Sequence, residues 1–303
     1  MTTKTTKLLL ASALAALTTP ALSAQTAAPV KRAMTCPIGG ESFEFVSPGS
    51  IVSWGERPDG KPYGSFPTEL PECPGNGLVL YKDYSPEEVA KLEPLIASDA
   101  YGALRKADVP FYRAYWLMTQ LGVPAGARLI ALQRATWSES NPELRPRYLA
   151  EFAEETAKLP RKPEDVNWIG MEARAVNALR ELGRFADAQA RLDKLPLSAL
   201  AVTAPKPEDR SEAAGRARAR ANWLTYLQSL KAVIARADSS LEPFDMLPRR
   251  EWVGRCLEGK GLSEAQQAHC TAQTSVVEEA RAASAKRDAE LKALAESREK
   301  SGR

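Results

Sequence analysis

Cysteines offer the clearest chemistry in this chain, because two of them begin short segments with the pattern of a metal-binding knuckle. The segments are CPIGG at residues 36–40 and CPGNG at residues 73–77. A complete knuckle is Cys-Pro-x-Cys-Gly, and two knuckles supply the four ligands of a structural zinc ion. Gly39 and Asn76 stand where the second cysteines would be. Two thiolates do not complete a tetrahedral site, so we expect a knuckle fold that has lost its metal.

The first 24 residues have the pattern of a cleaved signal peptide. Lys4 and Lys7 precede an apolar run over residues 8–17, and small residues follow. We expect cleavage after Ser23 or Ala24 and a periplasmic or secreted protein. The apolar run is shorter than the roughly 20 residues that a membrane span needs, and no later stretch approaches that length. The sequence therefore predicts a soluble mature protein without a membrane span.

An exported chain with four cysteines predicts two disulfide bonds, because thiols oxidise in such compartments. Three pairings are possible. We favour Cys36–Cys73 and Cys256–Cys270, because the members of each pair lie within one candidate structural unit. A lipid-anchored Cys36 is disfavoured, since the residues before it are not the aliphatic and small ones that precede a lipidated cysteine. No two cysteines have the Cys-x-x-Cys spacing of a redox enzyme.

The other polar residues provide no candidate catalytic residue, metal ligand or cofactor site. His269 is the single histidine, and Gln266 stands where a Glu-x-x-His metal motif would need an acid. The glycines do not form a phosphate-binding motif. The 41 basic and 38 acidic residues are interspersed, which argues against a nucleic-acid-binding stripe. We therefore expect no cofactor and no nucleic-acid partner.

The region 33–84 is rich in glycine and proline and predicts a small β module. Short alternating runs at residues 42–46, 51–54 and 78–81 are typical of strands. The turn-forming segment at residues 58–62 predicts an exposed loop tip, with a functional contact as the alternative reading. A module of this size has little core of its own, so a disulfide between its knuckles would stabilise it.

The chain after Tyr84 is predicted to be mainly helical, which makes the fold class mainly α. Within the region 85–202, residues 182–188 (LGRFADA) resemble the turn of a tetratricopeptide repeat, where glycine and alanine let two helices pack closely. A weaker copy at Leu121-Gly122 is too far away for a regular array. We therefore expect an irregular α-solenoid of helical hairpins, with an ordinary helical bundle as the alternative. Further helices are expected over residues 211–277, followed by a charged helical or disordered tail over residues 278–303.

The order of these parts resembles one family of bacterial proteins. The run from Thr35 to Phe43, together with the knuckle at residues 73–77, is similar to the zinc-ribbon entry segment of the family called DUF2225. Members of that family join such a ribbon to tetratricopeptide-like helices, and the resemblance covers residues 33–200. The chain departs from the family pattern at Gly39 and Asn76, which are ligand positions there. Because the family has no settled activity, the resemblance implies an architecture and no reaction.

Two classes of function are consistent with the sequence. The first is a non-catalytic scaffold, in which helical hairpins bind a protein or peptide partner. Exposed aromatic residues would provide its contacts, and Tyr112, Trp116 and Trp168 are the candidates, with core packing as the alternative for each. The second class is a periplasmic enzyme, such as a hydrolase, whose site has no sequence motif. We favour the first class.

Overall fold

A computed structural model describes residues 28–65, 69–138, 142–203 and 205–300. The predicted signal peptide and its cleavage site lie outside these residues. Helices make up 59% of the described residues, so the mainly helical class predicted from the sequence is confirmed. In the described residues, no helix is both long and apolar enough to cross a membrane.

The β module consists of two antiparallel hairpins. Strand β1 pairs with β2 from Val30↔Ser47 to Thr35↔Ser42, and β3 pairs with β4 with a register irregularity between Ser53 and Glu56. The strands are β1 (Val30–Thr35), β2 (Ser42–Ser47), β3 (Val52–Glu56) and β4 (Pro62–Ser65). The strand predicted at residues 78–81 is wrong, because only the isolated bridge Glu72↔Val79 forms there.

The helices follow from residue 86 onward. They are α1 (Pro86–Ile96), α2 (Asp99–Ala107), α3 (Pro110–Gln120), α4 (Ala125–Ala135), α5 (Arg145–Ala157), α6 (Val166–Glu181), α7 (Phe185–Leu192), α8 (Leu197–Leu200), α9 (Glu212–Ala235), α10 (Arg249–Glu258), α11 (Glu264–Ala272) and α12 (Thr274–Lys300). Helix α1 begins at a Ser85 cap, which forms a full capping box with Glu88, and it continues through Pro94.

Successive helices from α3 to α7 pack side by side, and α9 lies across α6 and α7. Gly122 and Gly183 end α3 and α6 in the left-handed conformation, with φ of 70° and 72°, so the chain can reverse into α4 and α7. The main core lies between these helices and extends to the disulfide of the β module. Each glycine turn therefore produces the hairpin that the sequence predicted at its position.

The two knuckle segments share the same pair of backbone hydrogen bonds. In each one, the N–H of Cys36 or Cys73 donates to the carbonyl five positions later, at 2.8 and 2.9 Å. Each cysteine carbonyl accepts from the N–H four positions later, at 3.2 and 2.9 Å. A disulfide joins the two cysteines. Beside it, Asn76 Nδ2 donates to Ile38 O at 2.8 Å, and a Cβ on Gly39 would lie 3.9 Å from that nitrogen. Gly39 and Asn76 therefore lie close to each other.

Helices α2 and α3 hold the second knuckle through its carbonyl groups. Arg105 donates to Pro74 O and Gly75 O at 2.7 and 2.8 Å. The buried Arg113 and Tyr101 both donate to Gly77 O, at 2.9 and 2.7 Å. A buried carbonyl without a donor would be costly, so these three side chains fix the knuckle on the helical body.

The C-terminal helices form a second, smaller core around Phe244, Leu247 and Val277. The disulfide Cys256–Cys270 joins α10 to α11. The hairpin of β3 and β4 packs against this part of the fold, because Trp54 Nε1 donates to Glu251 at 2.6 Å and Tyr63 Oη donates to Glu242 at 2.7 Å. The strands of this hairpin therefore contact the C-terminal helices and the segment before them.

We expect both disulfides to stabilise the fold, and the longer loop to matter more. Replacing Cys36 and Cys73 by serine should lower the free energy of unfolding by about 4 kcal/mol, and the same change at Cys256 and Cys270 by about 3 kcal/mol, because a cross-link restricts the unfolded chain. Urea denaturation followed by circular dichroism measures both. Double variants as stable as the unmodified protein would contradict the expectation.

Candidate functional site

The turn between β3 and β4 is buried inside the helical body. Arg57 and Asp59 are only 7% and 4% exposed, and Pro58 and Gly60 are buried as well. The exposed loop tip predicted at residues 58–62 is therefore wrong for the residues that form the turn. The physical reason is that helical side chains satisfy both the carbonyl groups and the charges of this turn.

Helices α6 and α9 bind the first two carbonyls of the turn. Arg174 of α6 donates to Arg57 O at 3.3 Å and also to Pro58 O. Tyr226 of α9 donates to Pro58 O at 2.7 Å. Burial raises the pKa of Tyr226 to about 12, so its hydroxyl stays a donor at neutral pH. These contacts recognise main-chain atoms.

Helix α4 and the residues after it bind the third carbonyl. Gln133 Nε2 and Trp137 Nε1 donate to Asp59 O at 2.8 and 3.1 Å. Gly60 makes this approach possible, since a Cβ there would lie 2.8 Å from Gln133 Nε2. Its φ of 88° also lies in the left-handed region that favours glycine. Three consecutive carbonyls are thus held by donors from three helical segments.

A buried ion network fixes the charge of the turn. The Asp59 carboxylate contacts Arg57 and Arg145 at 2.7 and 3.0 Å, and Arg145 also contacts Glu181 at 2.7 Å. Burial acts to raise the pKa of Asp59, but the hydrogen bond and charge of Arg57 and the charge of Arg145 outweigh it and hold the pKa below its usual value. Burial raises the pKa of Glu181 despite the opposing attraction of Arg145, and the charge of Asp59 adds to the rise.

A cavity of about 880 Å³ lies next to the captured turn, lined by residues of α4, α6, α9 and the loop before α6. Three tryptophans line it, namely Trp137, Trp168 and Trp223. Gly170 allows Trp223 to lie directly on α6, because a Cβ at Gly170 would be 2.7 Å from that ring. The Arg174 guanidinium stacks 5.2 Å from the centroid of the Trp223 ring. The result is a groove with broad aromatic walls.

The polar lining of this groove is rich in hydrogen-bond donors. Arg134, Lys162 and Arg174 contribute positive charge, whereas the carboxylates are Glu56 and Asp165. Both carboxylates already have partners within the protein. Glu56 forms an ion pair with Arg174, and Asp165 caps the N terminus of α6.

One buried donor of the groove has no acceptor within the described residues. The indole nitrogen Nε1 of Trp168 is inaccessible to solvent and forms no hydrogen bond there. A buried polar group without a partner is unfavourable by roughly 1–3 kcal/mol. Trp168 therefore lines the groove with its ring, while its indole nitrogen is turned into the protein interior.

The structure separates the three aromatic residues selected from the sequence. Trp168 lines the groove. Tyr112 of α3 stacks on Tyr148 of α5, with ring centroids 4.8 Å apart. Trp116 of α3 packs near Tyr101 of α2, at 5.8 Å. All three are half-buried, and Tyr112 and Trp116 do not line the groove.

Sequence reasoning missed Arg174, Tyr226, Gln133 and Trp137, which hold the turn. The sequence does not distinguish a polar or aromatic helix residue that binds a distant carbonyl from one that is exposed at the surface. The turn itself had such a signal, because Pro-Asp-Gly predicts a defined bend. Its burial depends on contacts up to 168 positions away, which the sequence does not show.

Comparison with protein-family models, with curated proteins and with solved structures found no match. Among the described residues, no group of three or more His, Cys, Asp and Glu side chains is arranged to hold a metal ion. His269 lies beside Asp245, with Nδ1 3.5 Å from Oδ1, and its ring makes edge-to-face contacts with Phe244 and Trp252. The histidine is therefore part of the C-terminal core.

We expect the ion network to give the fold a defined pH dependence. Because the folded pKa of Asp59 is below its unfolded value, its stabilisation is present above about pH 4 and is lost as the pH falls through the folded pKa. Asp59→Asn should lower the free energy of unfolding by about 3–5 kcal/mol near neutral pH, since it leaves buried arginines without their partner. Urea denaturation between pH 2.5 and pH 7 measures the difference.

The control for this prediction is Asp187→Asn, which removes an exposed ion pair with Arg184. That change should alter stability by no more than about 1 kcal/mol. A loss in Asp59→Asn that stayed constant down to pH 2.5 would show that the carboxylate charge is not the cause.

Gly60 and Gly183 allow a second comparison, because both have positive φ but only Gly60 is crowded. Gly183→Ala should lower the free energy of unfolding by about 1–2 kcal/mol, which is the cost of a left-handed alanine. Gly60→Ala should lower it more, since the new methyl group also displaces Gln133. Equal losses in thermal and urea denaturation would mean that the turn is not tightly held.

Proposed function

We propose that this protein is an exported, non-catalytic interaction module that binds a segment of polypeptide in the groove between α4, α6 and α9. The observation that carries the proposal is the capture of the protein's own β3–β4 turn. Arg174, Tyr226, Gln133 and Trp137 hold three consecutive main-chain carbonyls there. A surface that recognises main-chain atoms in its own chain has the chemistry to recognise those of another.

The space beside the turn supports this function. A groove of about 880 Å³ remains open, with the rings of Trp137, Trp168 and Trp223 in its walls and Arg134 and Lys162 among its polar residues. Sites that bind ligands combine such apolar walls with a few placed polar groups. Two disulfides indicate an oxidising compartment, which agrees with the export signal predicted from the sequence.

The architecture proposed for the module follows the resemblance to the DUF2225 family. The matching backbone bonds of the two knuckles support a ribbon in which a disulfide has replaced the metal. The glycine turns at Gly122 and Gly183 support a tetratricopeptide-like arrangement, in which alternate helices line a groove. In this proposal the ribbon fixes the hairpin whose turn occupies one end of the groove.

Selection from a phage-displayed library of random 12-residue peptides tests the function. The purified mature protein is the bait, and the enriched peptides are then measured against Trp168→Ala. We expect that variant to bind them at least tenfold more weakly, because it removes an aromatic wall of the groove. Ile51→Ala is the control, since this side chain is 63% exposed and does not line the groove.

Two outcomes would contradict the proposal. One is a selection that enriches no peptide over an empty support. The other is a set of peptides that binds Trp168→Ala as tightly as the unmodified protein.

A further inference from the structure

The two disulfides of this protein differ in how exposed their cysteines are. Cys36 and Cys73 are 2% and 0% exposed and belong to the main core. Cys256 is 9% exposed, and Cys270 of helix α11 is half-buried. Thiol–disulfide exchange begins when a thiolate attacks one of the two sulfur atoms, so its rate depends on access to that atom. The second disulfide is therefore the one that a reductant can attack while the protein is folded.

Helix α11 depends on this disulfide for its position. The helix has nine residues, none of which is buried, and so short a helix is marginal in water without tertiary packing. Gln266 Nε2 donates to Glu242 O at 3.3 Å, and His269 Nδ1 lies 3.5 Å from Asp245 Oδ1. The covalent bond to α10 is the strongest of these attachments. Without that bond, α11 would be held by weak polar contacts and by the ring of its histidine.

Helix α11 covers part of the small C-terminal core. The ring of His269 makes edge-to-face contacts with Phe244 and Trp252, with ring centroids 5.9 and 4.9 Å apart. Among the described residues, the buried members of this core are Phe244, Leu247, Cys256 and Val277. A core of this size contributes little stability by itself, so a cross-link within it has a large effect. Opening the disulfide would loosen α11 and uncover the aromatic rings beneath it.

We infer that the disulfide Cys256–Cys270 is a redox switch, which a dithiol reductant opens in the folded protein and which then releases α11 from the C-terminal core. The disulfide Cys36–Cys73 stays closed under the same conditions, because its cysteines are buried in the main core. The switch goes beyond the proposed function and does not depend on peptide binding in the groove.

The exchange takes place in two steps. A thiolate of the reductant attacks Sγ of Cys270, the more exposed cysteine, and forms a mixed disulfide with it. The bond to Cys256 breaks, and Cys256 leaves as a thiolate that takes a proton from water. The second thiolate of the reductant then attacks the reductant sulfur of the mixed disulfide, and Cys270 leaves and is protonated in the same way. Two electrons pass to the protein, and the reductant becomes a disulfide.

Timed reduction of the mature protein by dithiothreitol tests which disulfide opens. Samples are blocked with N-ethylmaleimide at intervals, and mass spectrometry of proteolytic peptides reports the state of each cysteine. We expect Cys256 and Cys270 to be alkylated at least tenfold faster than Cys36 and Cys73, which are the internal control. The two rates should converge in denaturing urea, where neither pair is protected. Equal rates in the folded protein, or a difference that persists in urea, would overturn the inference.

Hydrogen exchange tests the release of α11. After selective reduction, the amides of Glu264–Ala272 should exchange at least tenfold faster, whereas those of α3 should not change. The double variant Cys256→Ser and Cys270→Ser should show the same increase without any reductant. Unchanged protection of α11 in the reduced protein would overturn the switch even if the disulfide opens. An equal increase in α3 would also overturn it, because reduction would then unfold the whole protein instead of releasing one helix.

Discussion

The buried contact of Asp59 with Arg57 and Arg145 is the interaction on which the rest of the structure depends. The carboxylate belongs to the β module and Arg145 to the helical body, so this pair joins two units that differ in architecture. Charges of this kind are tolerated in a protein interior only when each has a partner. The turn can therefore be buried between the helices only with both arginines in contact with Asp59. For the same reason, donors from three helical segments converge on residues 57–60.

Arginine is the residue that this fold uses to accommodate irregular backbone. Arg105 and Arg113 hold the second knuckle, Arg174 holds the β3–β4 turn, and the fully buried Arg180 donates to Asp238 O and Ser240 O, both at 2.7 Å. Each of these arginines lies on a helix and donates to loop carbonyls that have no hydrogen-bond partner within a helix or a strand. The guanidinium group suits this role because its five donors lie in one rigid plane. These four arginines thus bind loop backbone to the helical body.

The sequence predicted the parts of the fold that depend on local chemistry. The glycine turns at Gly122 and Gly183 are decided by a few neighbouring residues, and a helical hairpin forms at each of them. Strand β1 and helix α2 were missed, because β1 gains its partner only from β2 and the apolar residues of α2 are few. The sequence pattern of each element was too weak to predict it without the elements that pack against it.

The candidate site was predictable only in part, for a related reason. Trp168 could be selected as an aromatic residue on a helix, but nothing in the sequence indicated that Trp137 and Trp223 would join it. Charged residues in a Pro-Asp-Gly turn normally indicate a solvated bend. Their burial follows from partners supplied by helices far along the chain, and only the tertiary structure brings those partners together.

The distance along the chain between the hairpin and its binding site has a consequence for assembly. The disulfide of the β module joins residues with a separation of 37, whereas the contact of Tyr226 with Pro58 has a separation of 168. A chain that emerges from its N terminus can close the first long before the second exists. Helices α4, α5 and α6 can bind the turn during that interval, through Gln133, Arg145 and Arg174. Tyr226 of α9 therefore adds the last of the contacts that hold the turn.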